Sequence, residues 1–245
     1  MNIKLKILAI GVSLLLLNSC DDDSTSEPPS NPINKIMALG ASRVEGDRPE
    51  FESFRYELWK DLIENGWTFD FIGTRSDEAS YPAFNNNNFD NDHEGRGGWT
   101  SGQILGGLND WLAQTGPPDI VLFSSPGGND ILEGLDYDQG ISNINAIIDV
   151  LQAKNPNVTI IIEQPAQFTS ALMIAVPAYA DALERVQQEV VTIATEQSTA
   201  SSRVIPVDMY TGFSDSLMAD LVHYNDAGAE FIATRYYNVL VNILE

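Results

Sequence analysis

The sequence predicts an α/β protein built on a mainly parallel sheet, from two observations. Short β-rich apolar runs alternate with helix-period segments from Lys35 onward, the pattern of strands joined by crossover helices. Turn residues such as Pro117-Pro118 and Asn155-Pro156-Asn157 close two helical segments just before the next strand begins. No internal repeat and no second linker divides the region, so residues 35–245 read as one domain.

Taken in order, the predicted strands are Ile36–Leu39, Thr68–Ile72, Ile120–Phe123, Val158–Ile162 and Val204–Val207. Each is a short apolar run, as strands buried on both faces require. The first predicted helix, Phe51–Glu64, places Phe54, Leu58 and Leu62 on one face with Trp59 beside them. Ser101–Ala113, Ile141–Gln152, Pro177–Ala194 and Asp226–Leu244 repeat that helical period between or after the strands.

Residues 1–19 read as a targeting segment. Lys4 and Lys6 precede an apolar run from Ile7 to Leu17, too short to span a bilayer and laid out as a signal peptide. The run ends in Leu17-Asn18-Ser19-Cys20, which resembles a bacterial lipobox, so Cys20 is expected to be lipidated. As the single cysteine it has no intramolecular disulfide partner. Residues 20–34, with Asp21-Asp22-Asp23 and a Ser/Pro-rich stretch, read as a disordered tether. An acidic run directly after a lipidated cysteine resembles a surface-export signal, so display on a bacterial outer membrane is expected, with the periplasmic face as the alternative. Lipid chains would then be the only membrane contact.

Thirteen basic against thirty-five acidic residues give a net charge of −22 with no basic run, which argues against nucleic-acid binding. The chemistry-bearing residues lie where parallel sheets build their sites, in loops beyond the carboxyl ends of strands. Ser42 follows the first strand and Gly97-Gly98 lies in the long loop after the second. Gly127-Gly128-Asn129-Asp130 follows the third, and Asp220 and His223 follow the fifth.

A serine needs a base to become a nucleophile, and an imidazole oriented by a carboxylate supplies one near neutral pH. Acyl transfer also needs donors aimed at the developing oxyanion, which a glycine N–H or an asparagine amide can offer. Each motif alone has a plainer reading as a cap or turn. A Gly-x-Ser-x-Gly elbow is missing around Ser42, which weighs against the α/β-hydrolase fold. His93, the other histidine, reads as a loop-fixing residue within Asp92-His93-Glu94. The Asn/Asp-rich stretch 85–92 offers hard oxygen ligands without ordered calcium-loop spacing, and no Cys/His cluster suggests zinc, so no metal site is assigned.

As a set, these blocks resemble the SGNH (GDSL-type) hydrolase superfamily. Ile36–Gly46 resembles its first block, His93–Thr100 its second, Gly127–Asp130 its third and Asp220–His223 its last, with His223–Gly228 as the usual continuation. The resemblance implies a flavodoxin-like three-layer α/β/α sandwich with five parallel strands ordered 2-1-3-4-5, and no cofactor. It implies Ser42 as nucleophile, His223 as base and Asp220 as its orienter. The N–H groups of Ser42 and Gly98, with the Asn129 amide, would form the oxyanion hole. Ala41 departs from the family's Gly-Asp-Ser, removing a carboxylate that helps anchor the first block.

Phe54–Trp59, Phe71-Ile72-Gly73 and His93–Thr100 look like the branch containing carbohydrate acetylesterases. The expected substrate is therefore an acylated carbohydrate such as acetylated xylan. Trp99, adjoining Gly98, is the candidate sugar-stacking ring, while Arg55 and Trp59 read as packing and ion-pair residues. A lipid esterase or thioesterase of the same fold is the alternative, and a non-catalytic surface glycan-binding lipoprotein the alternative of another class. Oligomeric state is silent in the sequence.

Overall fold

A computed structural model describes residues 34–244. The signal segment, Cys20 and the tether before Asn34 lie outside the described residues. The strands are β1 (Lys35–Gly40), β2 (Asp70–Phe71), β3 (Glu94–Gly95), β4 (Ile120–Phe123), β5 (Thr159–Gln164) and β6 (Val204–Asp208). The helices are α1 (Ser42–Glu45), α2 (Arg55–Glu64), α3 (Ser101–Thr115), α4 (Gly128–Leu132), α5 (Tyr137–Lys154), α6 (Ser170–Ala175), α7 (Pro177–Gln197) and α8 (Asp226–Leu240), with a 3-10 turn at Asp215–Leu217.

All described strand pairs within the sheet are parallel, in the order β2-β1-β4-β5-β6. With β3 set aside, this is the expected 2-1-3-4-5 arrangement. β3 shares the outer edge of β1 with β2: Lys35 and Ile36 pair with β2, and Leu39 and Gly40 pair with β3. The chain between them loops away from the edge and returns, so the expected single strand at 68–72 is shorter and a second short strand completes the edge.

Strand alternation sorts the core into two layers. Met37, Leu39, Val121, Phe123, Ile160 and Ile162 face Leu108, Ile147, Val186 and their neighbours on α3, α5 and α7. Ile36, Ala38, Ile120, Leu122 and Ile161 face Leu58, Leu62, Ile232 and Tyr236 on α2 and α8. The result is a three-layer α/β/α sandwich. The β1, β4 and β5 residues in both sets are at most 4% exposed, which explains their continuous apolar runs.

Helix boundaries differ from expectation for local reasons. α2 begins at Arg55 because Phe51 and Glu52 are held in bridges to Asp47 and Tyr224. α5 begins at Tyr137, where Asp136 caps it by accepting the Gln139 N–H at 2.8 Å. The residues after Leu240 turn out of α8 before the expected end at Leu244.

Candidate active site

The loops after β1, β3, β4 and β6 meet at one sheet edge. Gly40 ends β1 where a Cβ would lie 2.8 Å from Val44 Cγ2 and 2.9 Å from the Ser124 carbonyl oxygen. Only a bare backbone permits α1 to fold back this closely, and that turn puts Ser42 at the strand end. Ala41 occupies the N-cap of α1 and makes no side-chain capping bond. The other end of α1 is held instead: Ser53 Oγ and Arg55 Nε each donate to the Val44 carbonyl at 2.7 Å, and Arg55 Nη2 donates to the Glu45 carbonyl at 2.9 Å.

Ser42 Oγ lies 2.8 Å from His223 Nε2, and His223 Nδ1 lies 2.7 Å from Asp220 Oδ2. Asp220 Oδ1 accepts the N–H groups of Val222 and His223, both at 2.7 Å. Burial pushes the Asp220 carboxyl up, but the bond from His223 and those two N–H groups outweigh it and hold the carboxyl below its ordinary value. The Phe51 ring stacks on His223 with centroids 3.8 Å apart and planes 13° from parallel.

The Arg96 carbonyl accepts the Trp99 N–H at 3.1 Å across a turn in which Gly98 has φ +77°. Positive φ at the third position of such a turn favours glycine and sets which way the preceding peptide faces. A Cβ on Gly98 would meet nothing within 4 Å, so conformation rather than space requires glycine. Asn129, on α4, donates from Nδ2 to the Trp99 carbonyl at 2.9 Å, which leaves the second amide N–H for another acceptor. Asp130 ties the same loops together, accepting the Ser101 N–H at 2.8 Å and the Ser101 hydroxyl at 2.6 Å.

Ser42, His223, Gly98 and Asn129 line a cavity of about 530 Å³. Asp47, Phe51 and Asp77 also border it, as do the apolar Leu132, Pro165, Phe168 and Leu183. Trp99, expected as a sugar-stacking ring, does not line it. Its indole packs against Trp111 with centroids 5.7 Å apart, and the Arg96 guanidinium lies over both rings. Only the Trp99 carbonyl reaches the site, through Asn129. Phe51, which the sequence did not single out, is the aromatic ring at the imidazole.

His93 is removed from any basic role. Its Nδ1 accepts the Gly95 N–H at 2.9 Å. Burial, aided by Arg55, Arg75 and Arg96, pushes its pKa down to about 2. Arg55 and Trp59 are 1% and 2% exposed, with Arg55 paired to Asp77 at 2.7 Å. Among the described residues no group of three or more His, Cys, Asp or Glu side chains is placed to hold a metal. In the Asn/Asp-rich stretch, Asp90 turns its carboxylate to the Phe71 N–H at 2.8 Å.

A hydroxyl bonded to an imidazole that is bonded in turn to a carboxylate, on the ligand edge of a parallel sheet, is the arrangement of a serine hydrolase. Residues 61–231 match the GDSL-like Lipase/Acylhydrolase family, and the chain belongs to that family of ester hydrolases. The fold is similar to that of a carbohydrate esterase family 3 protein from Talaromyces cellulolyticus, at TM-score 0.72 and 27% identity over 85% of this chain and 97% of that one. It is similar at TM-score 0.72 and 28% identity to an acetyl esterase mutant crystallised with acetate ion, over 85% and 97% of the two chains. A Clostridium thermocellum family 3 carbohydrate esterase gives TM-score 0.69 and 28% identity over 85% and 96%. A comparison with curated proteins finds no match.

Proposed function

We propose that this protein is a serine esterase that removes acetyl or other short acyl groups from a carbohydrate, through an acyl-enzyme on Ser42. The observation that carries the reading is the unbroken series Ser42 Oγ–His223 Nε2 and His223 Nδ1–Asp220 Oδ2, opening on the cavity that Gly98 and Asn129 also line. Similarity to two family 3 carbohydrate esterases and an acetyl esterase supports the substrate class.

In this reading His223 Nε2 takes the Ser42 hydroxyl proton as Oγ attacks the ester carbonyl carbon. The carbonyl oxygen becomes an oxyanion facing the N–H groups of Ser42 and Gly98 and the second N–H of Asn129. Collapse breaks the ester C–O bond, and His223 gives its proton to the departing sugar oxygen, which leaves as a free hydroxyl. Water then repeats the sequence on the acyl-enzyme, releasing the carboxylic acid and restoring Ser42. Asp220 stays ionised throughout and stabilises the imidazolium.

The test is acetate release from acetylated xylooligosaccharides. Ser42→Ala and His223→Ala are each expected to abolish it with the fold intact, and undiminished turnover in either variant overturns the assignment. The apolar lining by Leu132, Phe168 and Leu183 favours a second reading, hydrolysis of longer acyl esters or thioesters. A chain-length profile that rises beyond butyrate would select it.

The location belongs to the same proposal and rests on the sequence alone: a lipid on Cys20 tethers the domain to the outer membrane. No helix among the described residues is long and apolar enough to cross a membrane. Incorporation of a fatty-acid label that survives Cys20→Ala would refute the anchor.

A further inference from the structure

Glu45 stands three residues after the nucleophile and borders the catalytic cavity. Its two carboxylate oxygens have different partners. Oε2 accepts the Gly97 N–H at 2.6 Å, and Oε1 accepts from Arg75 Nη2 at 2.7 Å. Two glycines let the second loop lie directly against α1. A Cβ on Gly95 would fall 2.3 Å from the Glu45 nitrogen, and one on Gly97 would fall 2.6 Å from Glu45 Oε2 and 3.9 Å from Ser42 Cβ. Arg75 is itself held by reciprocal backbone bonds with His93 at 3.1 and 2.8 Å.

We propose that Glu45 is a positioning residue, tying the loop that carries the oxyanion donor Gly98 to the helix that carries Ser42, with Arg75 neutralising its charge. The proposal rests on the hydrolase reading above. The N–H of Gly97 is one peptide before that of Gly98, so fixing the first limits rotation of the second about a segment that holds two consecutive glycines. A carboxylate in that place repels the negative charge that develops on the substrate oxygen, unless a cation at contact distance cancels its field. The 2.7 Å contact with Arg75 supplies that cation. Ala41 leaves α1 without an N-terminal side-chain cap, so the carboxylate at 45 joins first and second loops from the opposite end of the same short helix.

The charge on Glu45 distinguishes this role from simple packing. Glu45→Ala loses the tie, and a misplaced donor is expected to lower kcat by about thirtyfold or more with KM changed by less than about threefold. Glu45→Gln keeps an oxygen acceptor for Gly97 and is expected to lose far less than Glu45→Ala. Arg75→Met leaves an uncompensated carboxylate beside the donor and is expected to lower kcat by about tenfold. Adding Glu45→Gln to Arg75→Met should restore most of that loss, because the offending charge is gone.

The experiment measures kcat and KM for p-nitrophenyl acetate in the wild type and these four variants, with circular dichroism to confirm folding. Rescue of Arg75→Met by Glu45→Gln, with a kcat-only defect in Glu45→Ala, supports the proposal. It is overturned by wild-type kcat in Glu45→Ala, by equal losses in Glu45→Gln and Glu45→Ala, or by a double variant no faster than Arg75→Met. A wild-type protein that neither turns over esters nor reacts at Ser42 with a fluorophosphonate would defeat the hydrolase reading instead, which keeps the two failures distinct.

Discussion

Asp220→Asn is expected to damage the enzyme more than Asp220→Ala, although asparagine is the closer mimic. Asp220 Oδ1 accepts two backbone N–H groups at 2.7 Å, while Oδ2 meets His223 Nδ1 at 2.7 Å. In the asparagine variant those two donors hold the amide oxygen, so the NH2 group must face Nδ1. Nδ1 can then only accept, its proton moves to Nε2, and Nε2 can no longer accept the Ser42 proton. Alanine removes the carboxylate without imposing that tautomer.

The magnitudes follow from exposure. The Asp220 side chain is 50% exposed and that of His223 18%, so the pair is only partly shielded from solvent. Two charges about 4 Å apart interact by about 1 kcal/mol in water and about 4 near a protein surface. A value near 2 kcal/mol makes alanine cost about thirtyfold in kcat. Asparagine adds the wrong tautomer and is expected to cost about a thousandfold or more. Stopped-flow release of p-nitrophenol from p-nitrophenyl acetate reads acylation directly. The bonds from His223 and the Val222 N–H hold the Asp220 carboxyl below its ordinary 3.8 against the effect of burial. Its ionised form is lost only as pH falls through that depressed value, so Asp220 stays ionised throughout assays near neutral pH. An asparagine variant as active as the alanine variant would refute the tautomer argument.

Three further perturbations test neighbouring parts. Phe51→Leu removes the ring stacked on His223, and loss of about 1 kcal/mol of imidazolium–ring attraction should lower kcat/KM about fivefold; an unchanged value sinks that role. Gly98→Ala meets no atom within 4 Å but must hold φ +77°. It should cost about 1 kcal/mol of stability while kcat falls at least tenfold, and a full kcat would show that the peptide direction is immaterial. Burial, with Asp92 and Asp70 adding to it and the Phe71 N–H opposing, pushes the Asp90 carboxyl up to about 6. An acid whose pKa is raised on folding makes stability fall as pH rises from its unfolded value through the folded one. Discounted for partial exposure, Asp90→Asn should therefore stabilise by about 1 kcal/mol at pH 7 and by nothing at pH 4, as read from urea melts; no gain at pH 7 refutes this.

The central strands were legible because they are buried on both faces, so Ile120–Phe123 and Ile160–Ile162 appear as continuous apolar runs. β3 was not, since Glu94-Gly95 is two residues long and owes its pairing to the end of β1. α1, α4 and α6 span four to six residues, too short for a helical period to register. Ser42, Gly98, Asn129, Asp220 and His223 could be read because each sits in a motif at a strand end. Phe51 reaches His223 only through the backbone bridges Asp47–Phe51 and Glu52–Tyr224. The second of these joins segments more than 170 residues apart, and nothing in the local sequence announces it.

Arg43 shows how the first loop is held without the family's aspartate. Immediately after Ser42, Arg43 is 6% exposed, and its guanidinium donates to the carbonyls of Val222, Ala166 and Gln167 and to Ser125 Oγ. Those acceptors lie in the loops after β6, β5 and β4, so one side chain rooted beside Ser42 links the sheet edge across the site. The Tyr224 ring lies under the guanidinium at 4.7 Å, and Ser125 also donates its N–H to the buried Glu163 at 2.7 Å. A buried cation is tolerated only when its donors are satisfied, and here the planar fork finds four oxygens. Lysine keeps the charge but offers a point donor that cannot span them. Arg43→Lys is therefore expected to lose about 2–4 kcal/mol of stability, because several buried acceptors lose their partners. It should also lower kcat by about a hundredfold, since Ser42 and His223 then rest on loops that can shift against each other. Urea melts and esterase assays on the same preparation decide it: a destabilised variant with wild-type kcat would show that the histidine loop holds its place without Arg43.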